Sequence, residues 1–268
     1  MTSYGEMFAD HLSEDSIRGS LSTALLGCRV DCYPVVASTM DEARKAALES
    51  APDGTLVLAE EQTGGRGRFQ RTWVSPPGVN LYLSIVLRPE SSALSQLGMM
   101  ASLALAKALQ GFTRGAAQVS IKWPNDVRIG GKKVGGILIE NVLKGDRAGF
   151  SIVGMGVNVN LDPGEYPEIR DIATSLRREL GHTVSRLALL AAILGEMEEL
   201  YITIQGGGSV REEWSALLDT LGRRIRVAWG DQVYEGYAEG VDGEGSLLLR
   251  RPDGSLQALS AGEVTLQV

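Results

Sequence analysis

The sequence predicts an α+β fold, a mixed sheet with flanking helices, followed by a small C-terminal β-barrel. Three observations point there. Up to about residue 220, strand-like and helix-like runs are interspersed without strict alternation. One long segment, Ser95–Gln110, carries Leu97, Met100, Leu103, Leu105 and Leu109 and is apolar on most sides, as a buried helix is. Past Leu221 the texture changes to short alternating runs separated by Gly-rich turns, the pattern of a small barrel. The domain boundary is therefore expected at Leu221, giving units 1–220 and 221–268.

Taken in order, residues 1–27 read as a short helix that packs on the body, in a segment too short for a helix-turn-helix domain with its own core. Val30–Ala37 alternates as a strand does. Ser38 and Thr39 then precede a run rich in Ala, Glu, Arg and Lys, an N-cap signal for a helix reaching about Ser50, ahead of Pro52. Thr55–Ala59 and Val79–Leu87 read as strands, with a turn at Pro76-Pro77-Gly78. The apolar helix follows, with Gly111 as its expected C-cap. Val119–Lys122, Asp126–Ile129, Lys133–Glu140 and Gly149–Gly156 read as strands, and Gly130-Gly131 as a hairpin turn between two of them. A loop over Asn160–Pro167 leads to helices at Ser175–Leu180, Ser185–Ile204 and Val210–Thr220, the last two parted by Gly206-Gly207-Gly208-Ser209. The C-terminal strands are expected at Arg224–Ala228, Gln232–Val241, Ser246–Arg250, Leu256–Leu259 and Glu263–Val268.

Composition narrows the chemistry. A net charge of −7 argues against non-specific binding to nucleic acid, which depends on Lys and Arg neutralising phosphates. No apolar run is expected to span a membrane, and the start of the chain lacks a secretion signal, so a cytoplasmic protein is expected. Cys28 and Cys32 have no nearby histidine to complete a zinc site; their spacing suggests two buried reduced thiols on one face of a strand. His11 and His182 lie outside any motif, which directs attention to electrostatic rather than nucleophilic catalysis.

Four segments carry candidate chemistry. Gln62-Thr63-Gly64-Gly65-Arg66-Gly67-Arg68-Phe69-Gln70-Arg71 combines backbone freedom with guanidinium forks, a combination suited to closing over a small anion. In Lys122-Trp123-Pro124-Asn125-Asp126, Asp126 is placed to hold a magnesium ion or orient a basic group, and Asn125 to bond a ligand or the turn. In Gly130-Gly131-Lys132-Lys133-Val134-Gly135-Gly136, Gly135 and Gly136 suit a pocket floor and Lys133 can face an anion; no P-loop pattern is present. Gly154-Met155-Gly156-Val157-Asn158 lacks the third glycine and following helix of a dinucleotide fold and reads as a strand end with Asn158 exposed to a site.

Taken in order along residues 30–160, Ser38-Thr39, Gln62 with Gly65-Arg66-Gly67-Arg68, Lys122-Trp123-Pro124-Asn125-Asp126, Lys133-Val134-Gly135-Gly136 and Gly154-x-Gly156-x-Asn158 resemble the biotin protein ligases. The resemblance implies a class II synthetase-like catalytic domain with an SH3-like C-terminal barrel. It implies formation of biotinoyl-5′-AMP from biotin and MgATP, then transfer to a lysine of a biotin carboxyl carrier protein. Arg66, Arg68 and Lys133 would be the catalytic cations. Ser38, Thr39, Met40, Gln62, Gly65, Gly67 and Gly136 would join them around biotin. Trp73, Lys122, Asn125, Asp126 and Asn158 would join Arg68 and Lys133 around ATP, with Asp126 toward Mg2+. Homodimerism through a sheet edge is a further implication. Many relatives carry an N-terminal DNA-binding domain and repress biotin genes; this chain lacks room for one, so an enzyme without repressor activity is expected.

Three positions depart from the family's usual pattern: Gly64 stands for alanine, Gln70 for glycine and Met40 commonly for asparagine. Lipoate and octanoate ligases share the architecture, but the Gly-Arg-Gly-Arg and Lys-Trp-Pro-Asn-Asp segments point to biotin. A sensor that binds biotin without reacting would not need so many cations.

Overall fold

The computed structural model describes residues 12–144 and 147–266; His11 lies outside them. The expected N-terminal helix spans Glu14–Ser20 (α1), opened by a reciprocal Ser13–Ser16 capping box and seated by the fully buried Ile17.

Strands β1 (Val30–Val36), β2 (Thr55–Gln62), β3 (Leu81–Leu87), β4 (Val119–Lys122), β5 (Asp126–Ile129), β6 (Lys132–Lys144) and β7 (Arg147–Val157) form one sheet in the order β1-β2-β3-β7-β6-β5-β4. β1 and β2 are parallel, because helix α2 (Thr39–Leu48) carries the chain across between them. Every other neighbouring pair is antiparallel, so the sheet is mixed as expected. Alternation gives it two apolar faces. Leu56, Leu58, Ile85 and Val153 join the main core with α3 (Leu97–Thr113) and α5 (Arg186–Gln205). Val57, Val86 and Ile152 face Met40, Ala43 and Ala47 of α2.

The helical stretch Ser91–Thr113 is long and apolar enough to cross a membrane, contrary to the sequence expectation. Its side chains explain the composition differently: Leu97, Met100, Leu103, Leu105 and Leu109 are completely or almost completely enclosed. Gly111 does not cap this helix. The helix continues to Thr113, and Arg114 and Gly115 take the left-handed turn at φ 46° and 80°. The hairpin glycines Gly130 and Gly131 do adopt positive φ, as β5 turns into β6.

The cysteines also differ from expectation. Cys28 precedes β1 and is exposed, its thiol donating to the Asp53 carbonyl at 3.2 Å. Cys32 is half-buried on β1, and burial pushes its thiol up to about 11.

Short helices α4 (Leu176–Leu180) and α6 (Arg211–Ala216) flank α5. Within α5, the Glu198 carboxylate accepts the backbone N–H groups of Ala24, Leu25 and Leu26, each at 2.7 Å. Three charge-assisted bonds to one buried carboxylate tie the segment before β1 to the helix layer. Replacing Glu198 with alanine orphans three donors at once. The expected cost is about 2–4 kcal/mol of unfolding free energy, read by urea denaturation.

The C-terminal strands β8 (Arg224–Trp229), β9 (Gln232–Val241), β10 (Leu247–Arg250), β11 (Leu256–Leu259) and β12 (Glu263–Leu266) pair antiparallel in the order β11-β10-β9-β8-β12. Ile225, Val227, Ala238, Leu247 and Leu249 point inward and share the main core. Buried Trp123 fastens this sheet to the larger one: its Nε1–H donates to the Gly245 carbonyl at 2.9 Å.

Candidate active site

Glycines make the floor of the site. Gly136 on β6 and Gly156 on β7 are register partners. A Cβ on Gly156 would lie 2.4 Å from Cε2 of Trp73, and one on Gly136 would lie 3.2 Å from Cζ3. Their missing side chains therefore let the indole lie on the sheet. Gly135, also expected in the floor, faces away: a Cβ there would meet Leu105 of α3 at 2.6 Å, as alternation demands. Over this floor is a cavity of about 340 Å³, whose apolar wall includes Met40, Leu83, Ile137 and Leu138.

The N-terminus of α2 supplies the polar end. Ser38 caps the helix by accepting the Met40 N–H at 3.3 Å. Thr39 donates its backbone N–H and its hydroxyl to Gln62 Oε1, at 2.9 and 3.1 Å. The Gln62 amide donates in turn to Ser75 at 3.2 Å, and Ser84 donates to the Thr39 hydroxyl at 2.8 Å. Gln62 and Ser75 bracket the Gly/Arg loop, so one network holds both its ends.

Within the loop, Arg66 and Thr72 form an isolated bridge, and Arg68–Gln70 make a single 3-10 turn in which Phe69 sits at φ 55°. Gly65 does not line the cavity. It is buried where the two limbs of the loop touch, and a Cβ would come within 2.7 Å of the Trp73 carbonyl and of Ser75 Oγ. Gly64 donates its N–H to the Ala37 carbonyl at 2.8 Å, and a Cβ there would come within 3.3 Å of the same oxygen.

The cations divide into two sets. Arg66 forks onto Asp41 at 2.9 and 2.5 Å, Arg71 meets Glu263 at 2.5 Å, Lys133 meets Asp126 at 2.6 Å, and Arg128 meets Asp219 at 3.3 Å. Lys133 also lies 5.1 Å from the centre of the Trp73 ring. Arg68 and Lys122 have no carboxylate within 4.0 Å among the described residues, although both are half-buried in the cavity wall. Burial depresses the pKa of each. Arg68 is held by neutral groups instead: it donates to Asn125 Oδ1 at 3.3 Å and to the Gly262 carbonyl at 3.4 Å, and stacks 4.9 Å from the Phe69 ring. Two half-buried cations in one cavity, with no carboxylate in contact and with Asp126 and Glu263 acting on them only from farther off, make a site for an anion.

Residues 32–158 match the biotin/lipoate A/B protein ligase family, and residues 220–266 match the biotin protein ligase C-terminal domain. The chain is 37% identical over 254 residues to the bifunctional ligase/repressor BirA of Bacillus subtilis, covering 93% of this chain and 78% of that one. It is 38% identical over 241 residues to a biotin–[acetyl-CoA-carboxylase] ligase of Paracoccus denitrificans, covering 84% and 96%. The chain belongs to the biotin protein ligase family. Among solved structures it is similar to a biotin protein ligase of Aquifex aeolicus in complex with biotin and ATP, with a TM-score of 0.74 and 28% identity over 90% of this chain and 99% of that one.

For a biotin protein ligase, the sequence-derived set converges well. Ser38, Thr39, Met40, Gln62, Arg66, Gly67, Arg68, Trp73, Lys122, Asn125, Asp126, Lys133, Gly136 and Asn158 all line the cavity; Gly65 alone does not. Asn158 lines the cavity with most of its side chain buried, its amide donating to the Thr174 carbonyl at 3.1 Å and accepting from Asn80 at 3.4 Å. Asn125 likewise donates to the Ile137 carbonyl. The Trp73 Nε1–H is buried against Gly156 with no partner among the described residues.

Asp126 and Glu263 are the carboxylates of the cavity wall, paired with Lys133 and Arg71. No cluster of three or more His, Cys, Asp or Glu suited to a metal occurs among the described residues. That donor set fits Mg2+ carried on nucleotide phosphates, which needs only one or two protein carboxylates.

Sequence reasoning missed Ile169, Ile172 and Ala173 after β7, and Gly262 and Val264 at β12. Ile172 and Phe69 are large, apolar and mostly exposed at the cavity. The only signal was a pair of isoleucines in a polar loop.

Proposed function

We propose that the protein joins biotin to MgATP, forming biotinoyl-5′-AMP and pyrophosphate, and then transfers the biotinoyl group to one lysine of a biotin carboxyl carrier protein. The supporting observation is the pair Arg68 and Lys122, half-buried and with no carboxylate in contact, beside a cavity with an apolar wall and a hydrogen-bonding end. In this reading Ser38, Thr39 and Gln62 face the ureido ring, while Met40 and Gly136 shape the space for the bicyclic head and tail. Arg66, Arg68 and Lys133 draw the biotin carboxylate and the α-phosphate together, overcoming the repulsion between two anions. Trp73, Lys122, Asn125, Asp126 and Asn158 surround the nucleotide.

A biotin carboxylate oxygen attacks the α-phosphorus and pyrophosphate leaves. A neutral lysine amine then attacks the acyl carbon, loses a proton and expels AMP. Mg2+ would supply charge neutralisation at the phosphates, with Asp126 as its protein ligand. A cytoplasmic location is part of the same proposal, since ATP and the carrier meet there.

The test is mass spectrometry of a biotin carboxyl carrier domain incubated with the protein, biotin and MgATP. A biotin-sized adduct on one lysine is expected, together with pyrophosphate release when the carrier is omitted. Tight biotin binding with neither adduct nor pyrophosphate would instead support a sensor.

A further inference from the structure

The Arg66–Asp41 pair is unusual among the contacts of the cavity because both terminal nitrogens of the guanidinium are used on one carboxylate. That bidentate fork is the geometry with which arginine would grip the carboxylate or phosphate of a substrate. Asp41 lies in the first turn of α2, the helix whose cap, Ser38, and next residue, Thr39, line the same cavity. Arg66 lines the cavity and Asp41 does not. The intramolecular carboxylate thus approaches the fork from outside the ligand space.

We infer that Asp41 is a positioning residue that occupies the Arg66 fork as a surrogate anion, and that the carboxylate of biotin takes its place. This rests on the biotin-ligase reading and specifies how its charge is handled before substrate arrives.

Two features make the exchange feasible. Side-chain exposures of 41% for Arg66 and 48% for Asp41 put the pair in the class of surface ion pairs, which are weak and readily traded. After Arg66 leaves, Asp41 remains at a helix N-terminus, where a negative charge is favoured, with the Arg44 charge acting on it as well. The pair also holds the middle of the Gly/Arg loop against α2, while Gln62 and Ser75 hold its ends. Exchange at Arg66 therefore frees the loop to settle on the ligand.

The test compares biotin with biotinol, its analogue bearing a neutral alcohol in place of the carboxylate, by isothermal titration of the wild-type protein and the Asp41→Asn variant without ATP. Asparagine keeps the shape and removes the competing charge. The expected result is a biotin Kd lower by about two- to fivefold in the variant, with the biotinol Kd unchanged. Asp41→Glu, which can still pair with Arg66, is expected to restore the wild-type biotin value. Unchanged or weaker biotin binding in Asp41→Asn, or an equal shift for both ligands, overturns the inference while leaving the ligase reading intact. A wild-type protein that binds neither ligand overturns the ligase reading itself, and the inference with it.

Discussion

Replacing Arg68 with alanine is expected to slow biotin-dependent pyrophosphate release by on the order of 10²–10³-fold, the usual effect of removing a fixed charge aimed at a developing anion. Arg68 stands apart from its neighbours: Arg66, Arg71, Lys133 and Arg128 each have a carboxylate, whereas Arg68 is held by an amide oxygen, a backbone carbonyl and an aromatic ring. Its burial has already stripped part of its water, and Asp126 and Glu263 act on it only from beyond contact, so an incoming phosphate has no ion pair to break. Little stability should be lost, because its partners are neutral and two of its contacts are long. Lysine at this position restores the charge but not the fork or the stacking, so partial recovery is expected. ATP–pyrophosphate exchange measures the effect. A rate within threefold of wild type would remove Arg68 from the proposed machinery.

A second large effect is expected from Gly156→Ala. The added methyl would sit 2.4 Å from Cε2 and 2.5 Å from Nε1 of Trp73, inside any permissible contact. An indole is rigid, so the whole ring must leave the β6–β7 floor and enter the cavity. Overpacking of this kind costs about 1–3 kcal/mol, which corresponds to roughly 5- to 150-fold weaker biotin binding. Gly154→Ala is the control. Its methyl also falls 2.4 Å from a neighbour, but that neighbour is the Met40 sulfur, on an unbranched side chain that can move aside. Its expected effect is a few-fold at most. Titration calorimetry with biotin separates the two variants, and equal losses would show that Trp73 is not the obstacle.

What the sequence conveyed well was local. Ser38 as a helix cap, Gly130-Gly131 as a hairpin and the alternating C-terminal strands all depend on chemistry within a few residues, and the structure has them. What it conveyed poorly was set by distant partners. β2 runs on to Gln62 because its end pairs with Val36 of β1, which no pattern within β2 reveals. The counter-ions were invisible for the same reason: Asp41, Asp219 and Glu263 lie 25, 91 and 192 residues from the arginines they meet. Gly65 shows the converse error. Its motif marks a ligand loop, yet the residue closes the loop on itself, and only the contact between its two limbs distinguishes these roles.

Trp123 lines the substrate cavity and, through its ring N–H, also holds the carbonyl of Gly245 in the neighbouring sheet. One side chain is thus both wall and fastener. Lineages that reshape this pocket for a different acyl group cannot redraw that wall freely, because each change must also preserve the joint between the sheets.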